Sequence, residues 1–325
     1  MPSTAPIPEA MPAPALPEVR MNVVRPAAPV IGRVVRNEIC TASRKAAGFV
    51  RHIEFDVSGT PLAGAFRAGQ AFGVLPPGVD PKTGKPHAVR LYSLACPTGG
   101  EDGAGAVIST TVKRTIDEHW DDQSLFLGVA SNYLCDLCEG DEVRLSGPNG
   151  KRFLLPENHA DHEYLFLATG TGIAPFRGMV RELLGRGCDR PITLIMGSPY
   201  RTDLLYHEEF RSLEADHANF TYLTAISRER DDNGGPGLYA HERLAMTLER
   251  AAPGLAEGKT LVYICGIAGM EAGVARVLTE ALPAEALAPY LTITDDALRA
   301  DPDAWTREGV RRGVRFGERV FIEVY

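Results

Sequence analysis

Basic residues are in the minority in this chain: 34 Lys and Arg stand against 42 Asp and Glu, a formal charge of −8 over 325 residues. A general nucleic-acid binder needs a cationic field to replace counterions, and that field is missing, so no nucleic-acid partner is expected. A local basic patch stays compatible with these numbers, because net charge carries no information about distribution. Long apolar runs are also absent. Nothing approaches the ~18 residues that span a bilayer, so no membrane span is expected. The first residues show no basic stretch followed by an apolar run, which argues against a secretory signal. Cysteine is scarce, with six residues at 40, 96, 135, 138, 188 and 265. Such thin spacing excludes the disulfide framework of a small secreted domain and points to a reducing cytoplasm. No internal repeat is visible, which sets solenoids and propellers aside.

What is present divides into three. Residues 1–30 hold eight of the 24 prolines, many alanines and almost no aromatics. That composition reads as a flexible, extended arm. From 31 to 158 the pattern is short and β-like: IGRVVRNEI, FVRHIEFDV, QAFGVL, AVRLYSLA, GAVISTTV and DEVRLSG, separated by Gly/Pro/Asp clusters. It predicts an antiparallel barrel or sandwich. From 159 to 325, five apolar strand segments (YLFLATG, PITLIMG, FTYLTAIS, TLVYICG and RVFIEVY) alternate with segments of helical period. Apolar strands with helical crossovers predict a five-stranded parallel α/β sheet covered on both faces.

Ligands of such a sheet bind beyond the carboxyl ends of its strands. Those ends read Thr169-Gly170-Thr171-Gly172, Gly197-Ser198-Pro199, Ser227-Arg228, Cys265-Gly266 and Glu323-Val324-Tyr325. Glycines admit a ligand close to the backbone, and the helix after TGTGIAP offers free N–H groups to a phosphate. Ser227 and Arg228 supply a hydroxyl and a fixed cation suited to a phosphate monoester. The edge therefore looks built for a phosphorylated dinucleotide, although GTGIAP does not have the GxGxxG spacing.

Several blocks carry a family resemblance in collinear order from Met21 to Tyr325. They are Arg90-Leu91-Tyr92-Ser93, GVASNYLCDLCEGDEVRLSGPNGKRFLLP (128–156), ATGTGIAPFR (168–177) and LLYHEEF (204–210). The series continues with SRER, Tyr239 twelve residues after Ser227, VYICGIAGME (262–271) and the closing IEVY. The chain resembles the plant-type ferredoxin–NADP+ reductase family. The resemblance implies an FAD-binding antiparallel β-barrel followed by an NADP-binding α/β domain. It implies Arg90 on the FAD pyrophosphate, Leu91 and Tyr92 against the flavin, and Ser93 near the flavin N5. Gly128, Val129, Ala130 and Ser131 would continue the FAD site, and Lys113 would reach the NADP pyrophosphate. Thr171 would line the dinucleotide groove, Ser227 and Arg228 would hold the 2′-phosphate, and Tyr239 would stack on adenine. Cys265 and Glu323 would flank the nicotinamide–flavin contact. Tyr325, the last residue of the sequence, would lie over the flavin as a gate that nicotinamide displaces. Ser93, Cys265, Glu323 and Tyr325 form the implied catalytic set.

The implied activity is electron transfer between NADP(H), by hydride transfer, and a one-electron carrier such as ferredoxin or flavodoxin. A reductase component of an oxygenase would use the same module, and a non-catalytic nucleotide-binding module is the alternative from another class. The plant-type ferredoxin spacing C-x4-C-x2-C is absent, so no iron–sulfur centre is expected on this chain. Two departures stand out. Gly237 occupies the position, two before Tyr239, where family members carry a Lys or Arg. The stretch from about 290 to 318 is long and holds Arg307, Arg311, Arg312 and Arg315, with Arg319 just beyond. Its glycines 309, 313 and 317 recur every four residues, which is poor helix chemistry, and no structure is assigned to it; its arginines read as a solvated face, with contact to the electron carrier as the alternative. Lys85 and Lys151 match basic positions with which the family docks an acidic carrier, whereas Ala88 does not. Cys135 and Cys138 form a lone CxxC with no second pair, and His159 and His162 read as a solvated linker; no metal is expected at either.

Overall fold

Period-two alternation in the first half folds into antiparallel strands whose inward residues share one core. The computed structural model describes residues 11–230, 234–301 and 304–325. The strands are β1 (Val30–Ile39), β2 (Val50–Asp56), β3 (Ala71–Val74), β4 (Arg90–Ser93), β5 (Val107–Lys113) and, further on, β8 (Glu142–Asn149), in the order β4-β3-β8-β1-β2-β5. The two outer strands meet through a Leu94–Thr110 bridge, and Ala95 N–H donates to the Ser109 carbonyl at 2.8 Å, so the sheet closes as a barrel. Phe55, Phe72, Leu94, Ile108 and Leu145 fill it. Between β5 and β8 lie a two-stranded hairpin, β6 (Ile116–Glu118) and β7 (Leu125–Leu127), and helix α1 (Val129–Asp136). The hairpin was not foreseen, because DEHWDDQS reads as a polar loop.

The second half is a parallel sheet of five strands. In chain order come β9 (Glu163–Thr169), α2 (Ile173–Gly185), β10 (Ile192–Ser198), α3 (His207–Asp216), β11 (Phe220–Ile226), α4 (Ala240–Ala251), β12 (Thr260–Gly266) and α5 (Met270–Ala281). After these follow α6 (Ala284–Leu287), β13 (Leu291–Ile293), α7 (Ala297–Ala300), α8 (Arg307–Gly313), β14 (Val314–Phe316) and β15 (Val320–Val324). Sheet order β11-β10-β9-β12-β15 reverses direction between β9 and β12, which opens a crevice at their carboxyl ends. Helices α2 and α3 cover one face and α4 and α5 the other. The α2 face also takes in Ala68 and Phe153 from the barrel side, so one core is common to both halves. Tyr263 stacks on Phe321 at 4.4 Å within it and donates its hydroxyl to the Leu154 carbonyl at 2.8 Å.

Three expectations need correction. The Pro/Ala segment is no flexible arm over residues 11–24. Val24 and Gly147 exchange two backbone hydrogen bonds of 2.8 and 2.9 Å, and Asn158 bonds Ala13 and Ala15. Arg319 donates to the Met11 and Pro12 carbonyls at 3.3 and 2.8 Å. A proline-rich segment has few donors of its own, and the carbonyls of Met11, Pro12 and Ala13 join the Ala15 and Val24 N–H groups in holding it. Residues 1–10 of the expected arm lie outside the described residues. His162 is not solvated but fully buried, and burial, with Arg319 nearby, pushes its pKa down to about 4. Finally, the glycine-spaced stretch does form a helix. Thr306 caps α8 by accepting from the Gly309 N–H. A Cβ at Gly309 would lie 2.1 Å from the Ala304 carbonyl oxygen, and one at Gly313 2.7 Å from Leu298. Close packing demands these glycines despite their low helix propensity.

Helix α2 lies directly on the barrel: a Cβ at Gly178 would fall 2.2 Å from the Cys96 carbonyl oxygen. Gly178→Ala should therefore lower unfolding free energy by about 1–3 kcal/mol, overriding the ~1 kcal/mol that Gly→Ala brings in an open helix. Urea titration reads the sign, and a stabilised variant would mean that α2 stands off the barrel.

Candidate functional site

A cavity of about 650 Å³ opens where the barrel meets the carboxyl edge of the parallel sheet. On the barrel side β4 contributes Arg90, Leu91, Tyr92 and Ser93, and β5 contributes Thr111 and Lys113. Ser93 is fixed from behind by Thr110, whose hydroxyl donates to the Ser93 carbonyl at 2.7 Å. Tyr92 is half-buried, and burial pushes its phenol up to about 12, so the ring presents a neutral, flat surface. Gly128, Val129, Ala130 and Ser131 form the start of α1 and line the same cavity. A Cβ at Gly128 would fall 2.6 Å from Ser131 Oγ and 2.8 Å from Thr115 Cβ, so the tight entry to this helix requires glycine. The Arg90 guanidinium donates to the Ala88 and Val89 carbonyls, both at 3.3 Å, and among the described residues neither Arg90 nor Lys113 has an acidic partner. Two unneutralised cations and a helix N-terminus around an apolar floor are the donor set that an anionic, flat cofactor requires.

Opposite stand Thr171 and Ala174, where the β9–α2 turn enters the helix, and Tyr325. The Tyr325 hydroxyl lies 2.6 Å from Thr171 Oγ1, and its backbone is pinned by Tyr325 N–H to Gly266 O and Ala268 N–H to Tyr325 O, both 3.0 Å. Tyr325 itself is 66% exposed, so its ring stands at the mouth of the cavity with one face open. Cys265 and Glu323 face each other across β12 and β15 but do not line the cavity. Cys265 is fully buried and its thiol is pushed up by burial and by Glu323. Glu323 has no cationic partner among the described residues, and burial pushes its carboxyl up to about 7. The Cys265 main chain packs against the β9–α2 turn: a Cβ at Gly172 would meet the Cys265 carbonyl oxygen at 2.2 Å.

Ser227, Arg228 and Tyr239 are apart from this cavity, at the far end of the same edge. Ser227 and Arg228 N–H groups donate to the Ser198 and Pro199 carbonyls at 3.0 Å, which continues β11 past its last strand residue. Arg228 is exposed and carries no ion pair among the described residues, while its neighbour Glu229 is neutralised by Arg201 at 3.2 Å. Tyr239 is exposed and parallel to His241 at 5.9 Å. Gly237 explains itself: a Cβ there would lie 2.5 Å from the Ser227 carbonyl oxygen.

Sequence reasoning missed Thr111, Thr115, Phe126 and Ala174 as cavity-lining residues. Phe126 sits on the unforeseen hairpin, so no signal pointed to it; Ala174, three residues after Thr171, follows from helical spacing. His52, Glu54 and Glu101 bring donor atoms within 4.8 Å of one another. Arginines take up the carboxylates, Arg36 on Glu54 and Arg177 with Arg181 on Glu101, so this cluster is an ion-pair network rather than a metal cage. Cys135 is buried on α1, Cys138 is exposed, and neither forms a disulfide. No helix among the described residues is long and apolar enough to cross a membrane.

Residues 166–276 match the family model described as an oxidoreductase NAD-binding domain. The chain is 35% identical over 315 residues to the cyanelle ferredoxin–NADP reductase of Cyanophora paradoxa, covering 95% of this chain and 80% of that protein. It is 35% identical over 263 residues to the ferredoxin–NADP reductase of a Spirulina species, covering 79% of this chain and 88% of the relative. Among solved structures, the ferredoxin–NADP+ reductase from Plasmodium falciparum shares the fold with a TM-score of 0.68 at 19% identity, over 94% of this chain and 99% of that one. With relatives above one-third identity aligned across most of both chains, this protein belongs to the ferredoxin–NADP reductase family.

Proposed function

We propose that the protein is an FAD-dependent oxidoreductase that passes electrons between NADP(H) and a one-electron carrier, ferredoxin or flavodoxin. The observation that carries this reading is the cavity itself: an apolar floor, two cations with no acidic partner among the described residues, a helix N-terminus and two opposed tyrosines, Tyr92 and Tyr325. FAD, when bound, supplies two-electron chemistry toward nicotinamide and one-electron chemistry toward the carrier. The residues of this chain do the rest by orientation and by excluding water. In this reading residues 31–158 form the FAD-binding unit and residues 159–325 the NADP-binding unit.

Arg90 and the amides at the start of α1 would hold the FAD pyrophosphate, Leu91 and Tyr92 would pack on the ring system, and Ser93 would stand at the reacting edge. Lys113 would face the dinucleotide phosphates across the cavity. Tyr325 would cover the open face and yield it to nicotinamide, with its contact to Thr171 broken as the ring moves. Ser227 and Arg228 would take the 2′-phosphate and Tyr239 the adenine, while Cys265 and Glu323 would back the nicotinamide end. A cytoplasmic location fits six cysteines that are all free.

An anaerobic visible spectrum tests the reading. The purified protein is expected to show a flavin band that NADPH bleaches much more efficiently than NADH; a colourless protein that does not take up FAD would sink it. Arg228→Ala should weaken NADPH binding roughly 10- to 100-fold, the worth of a charge-assisted contact, and leave NADH almost unaffected. Equal losses for both nucleotides, in binding titrations, would remove the 2′-phosphate assignment.

Glu323 has a folded pKa of about 7, raised by burial above its ordinary value of 4.5. A raised pKa means that its contribution to stability is complete below 4.5 and is lost as pH rises through 7. Wild type should therefore lose stability between about pH 5 and 8 relative to Glu323→Gln, whose side chain never ionises. Denaturation midpoints measured across that range would run parallel if the carboxyl were solvated.

A further inference from the structure

An ion-pair network joins the two halves and reaches the cavity wall through Thr111. Its centre is Arg177, on α2 one and a half turns beyond Thr171. Arg177 Nη1 donates to the Ala95 carbonyl at 2.9 Å and to Glu101 Oε1 at 2.5 Å, and its Nε donates to Glu209 Oε2 at 2.7 Å. Arginine and glutamate are both nearly buried, with side chains 9% and 11% exposed. Burial alone would raise the Glu101 carboxyl, but the charge of Arg177 and hydrogen bonds from Arg177, Ser109 and Arg181 outweigh it and hold it down at about 2. The pair is thus ionised at any working pH.

A second strut runs alongside. The Arg177 guanidinium lies over the Tyr206 ring at 5.1 Å, and the Tyr206 hydroxyl reaches Thr111 Oγ1 at 2.6 Å. Thr111 lines the cavity. Ala95 follows Ser93 by two residues, so both struts end on the barrel wall that carries Tyr92 and Ser93. Their other end is the helix whose first residues form the opposite wall.

We propose that Arg177 is a positioning residue for hydride transfer: through Ala95, Glu101 and Tyr206 it fixes the gap between the barrel wall at Ser93 and the helix N-terminus at Thr171. It touches neither cofactor. It rests on the reading that FAD and nicotinamide meet in this cavity. A displacement of about 1 Å at reacting atoms costs on the order of 100-fold in rate, whereas binding made along the whole dinucleotide barely registers it. The contacts at Ser227, Arg228 and Tyr239 are remote from the strut, so affinity and rate should separate.

The test compares wild type, Arg177→Lys, Arg177→Met and Glu101→Gln with FAD bound. Flavin bleaching by NADPH in single turnover should slow about 10- to 100-fold in Arg177→Met and Glu101→Gln, with NADPH affinity changed less than about threefold and partial rescue in Arg177→Lys. Amide hydrogen exchange over residues 94–101 and 171–177, read in flavin-free and flavin-loaded protein, should rise at least fivefold in the same two variants. Unchanged bleaching, or rate and affinity falling together, would overturn the proposal. Where Arg177→Met does not fold, Glu101→Gln decides by the same criteria. A wild-type protein that binds FAD but is not reduced by NADPH would defeat the functional reading instead, and the exchange data would still report whether the strut holds the two walls.

Discussion

Helix α2 is wedged between two main chains, and everything at the site depends on how closely it sits. A Cβ at Gly172 would come within 2.2 Å of the Cys265 carbonyl oxygen, and one at Gly178 within 2.2 Å of the Cys96 carbonyl oxygen. At those two points the helix touches the parallel sheet and the barrel without any side chain between. Main-chain contact is far stiffer than side-chain packing, because no rotamer can adjust to absorb a shift. The halves therefore meet in one register, and the walls of the cavity inherit it. Eleven of the helix's residues are buried, Arg177 and Glu182 among them, which is the pattern of a helix covered on all sides rather than of a surface helix.

Two carboxylates show how differently this scaffold treats the same group. Glu101 meets two arginines and a serine hydroxyl and is held at about 2. Glu323 meets neither cation nor donor among the described residues and is pushed up to about 7 by burial alone. The first is a fixed charge that joins the halves; the second changes protonation in the neutral range, on β15 two residues before the tyrosine at the cavity. Sequence position does not separate them: both are glutamates in stretches of ordinary composition. Only the partners assembled from distant segments decide which one titrates.

The same distinction governs what could be read in advance. Strand and helix order in the parallel sheet was legible because β9, β10 and β12 are continuous apolar runs, each flanked by segments of helical period. The cavity residues from Arg90 to Ser93 and from Gly128 to Ser131 were legible as contiguous blocks, and the structure brings both to one cavity. Features whose cause is non-local were not legible. The proline-rich strap is ordered by Asn158, Arg319 and Gly147, all far away in sequence. The α8 glycines looked like helix breakers until Ala304 and Leu298 were seen against them. His162 looked solvated because its burial comes from the chain that covers it. That Cys265 and Glu323 pair across β12 and β15 depends on the sheet's register, which no local signal in the sequence states.

Gly237 unites two features that looked independent in the sequence. In the sequence, Gly237 is a missing cation where the family carries a Lys or Arg. In the structure, the Gly237 backbone packs against the Ser227 carbonyl so closely that any side chain would have to open the turn, and Leu238 N–H bonds the Ile226 carbonyl at 2.7 Å beside it. The absent side chain and the rigid placement of Ser227 are thus one arrangement. A lysine or arginine there would bring a charge but displace the backbone that presents the Ser227 hydroxyl. Arg230 is tied to the Gly234 carbonyl at 3.0 Å and Glu229 is neutralised by Arg201, which leaves Arg228 as the cation beside Ser227 with no ion pair among the described residues. In the proposed reading, discrimination at this end of the groove would rest on the Arg228 guanidinium and the Ser227 hydroxyl, contacts with less side-chain entropy to lose on binding.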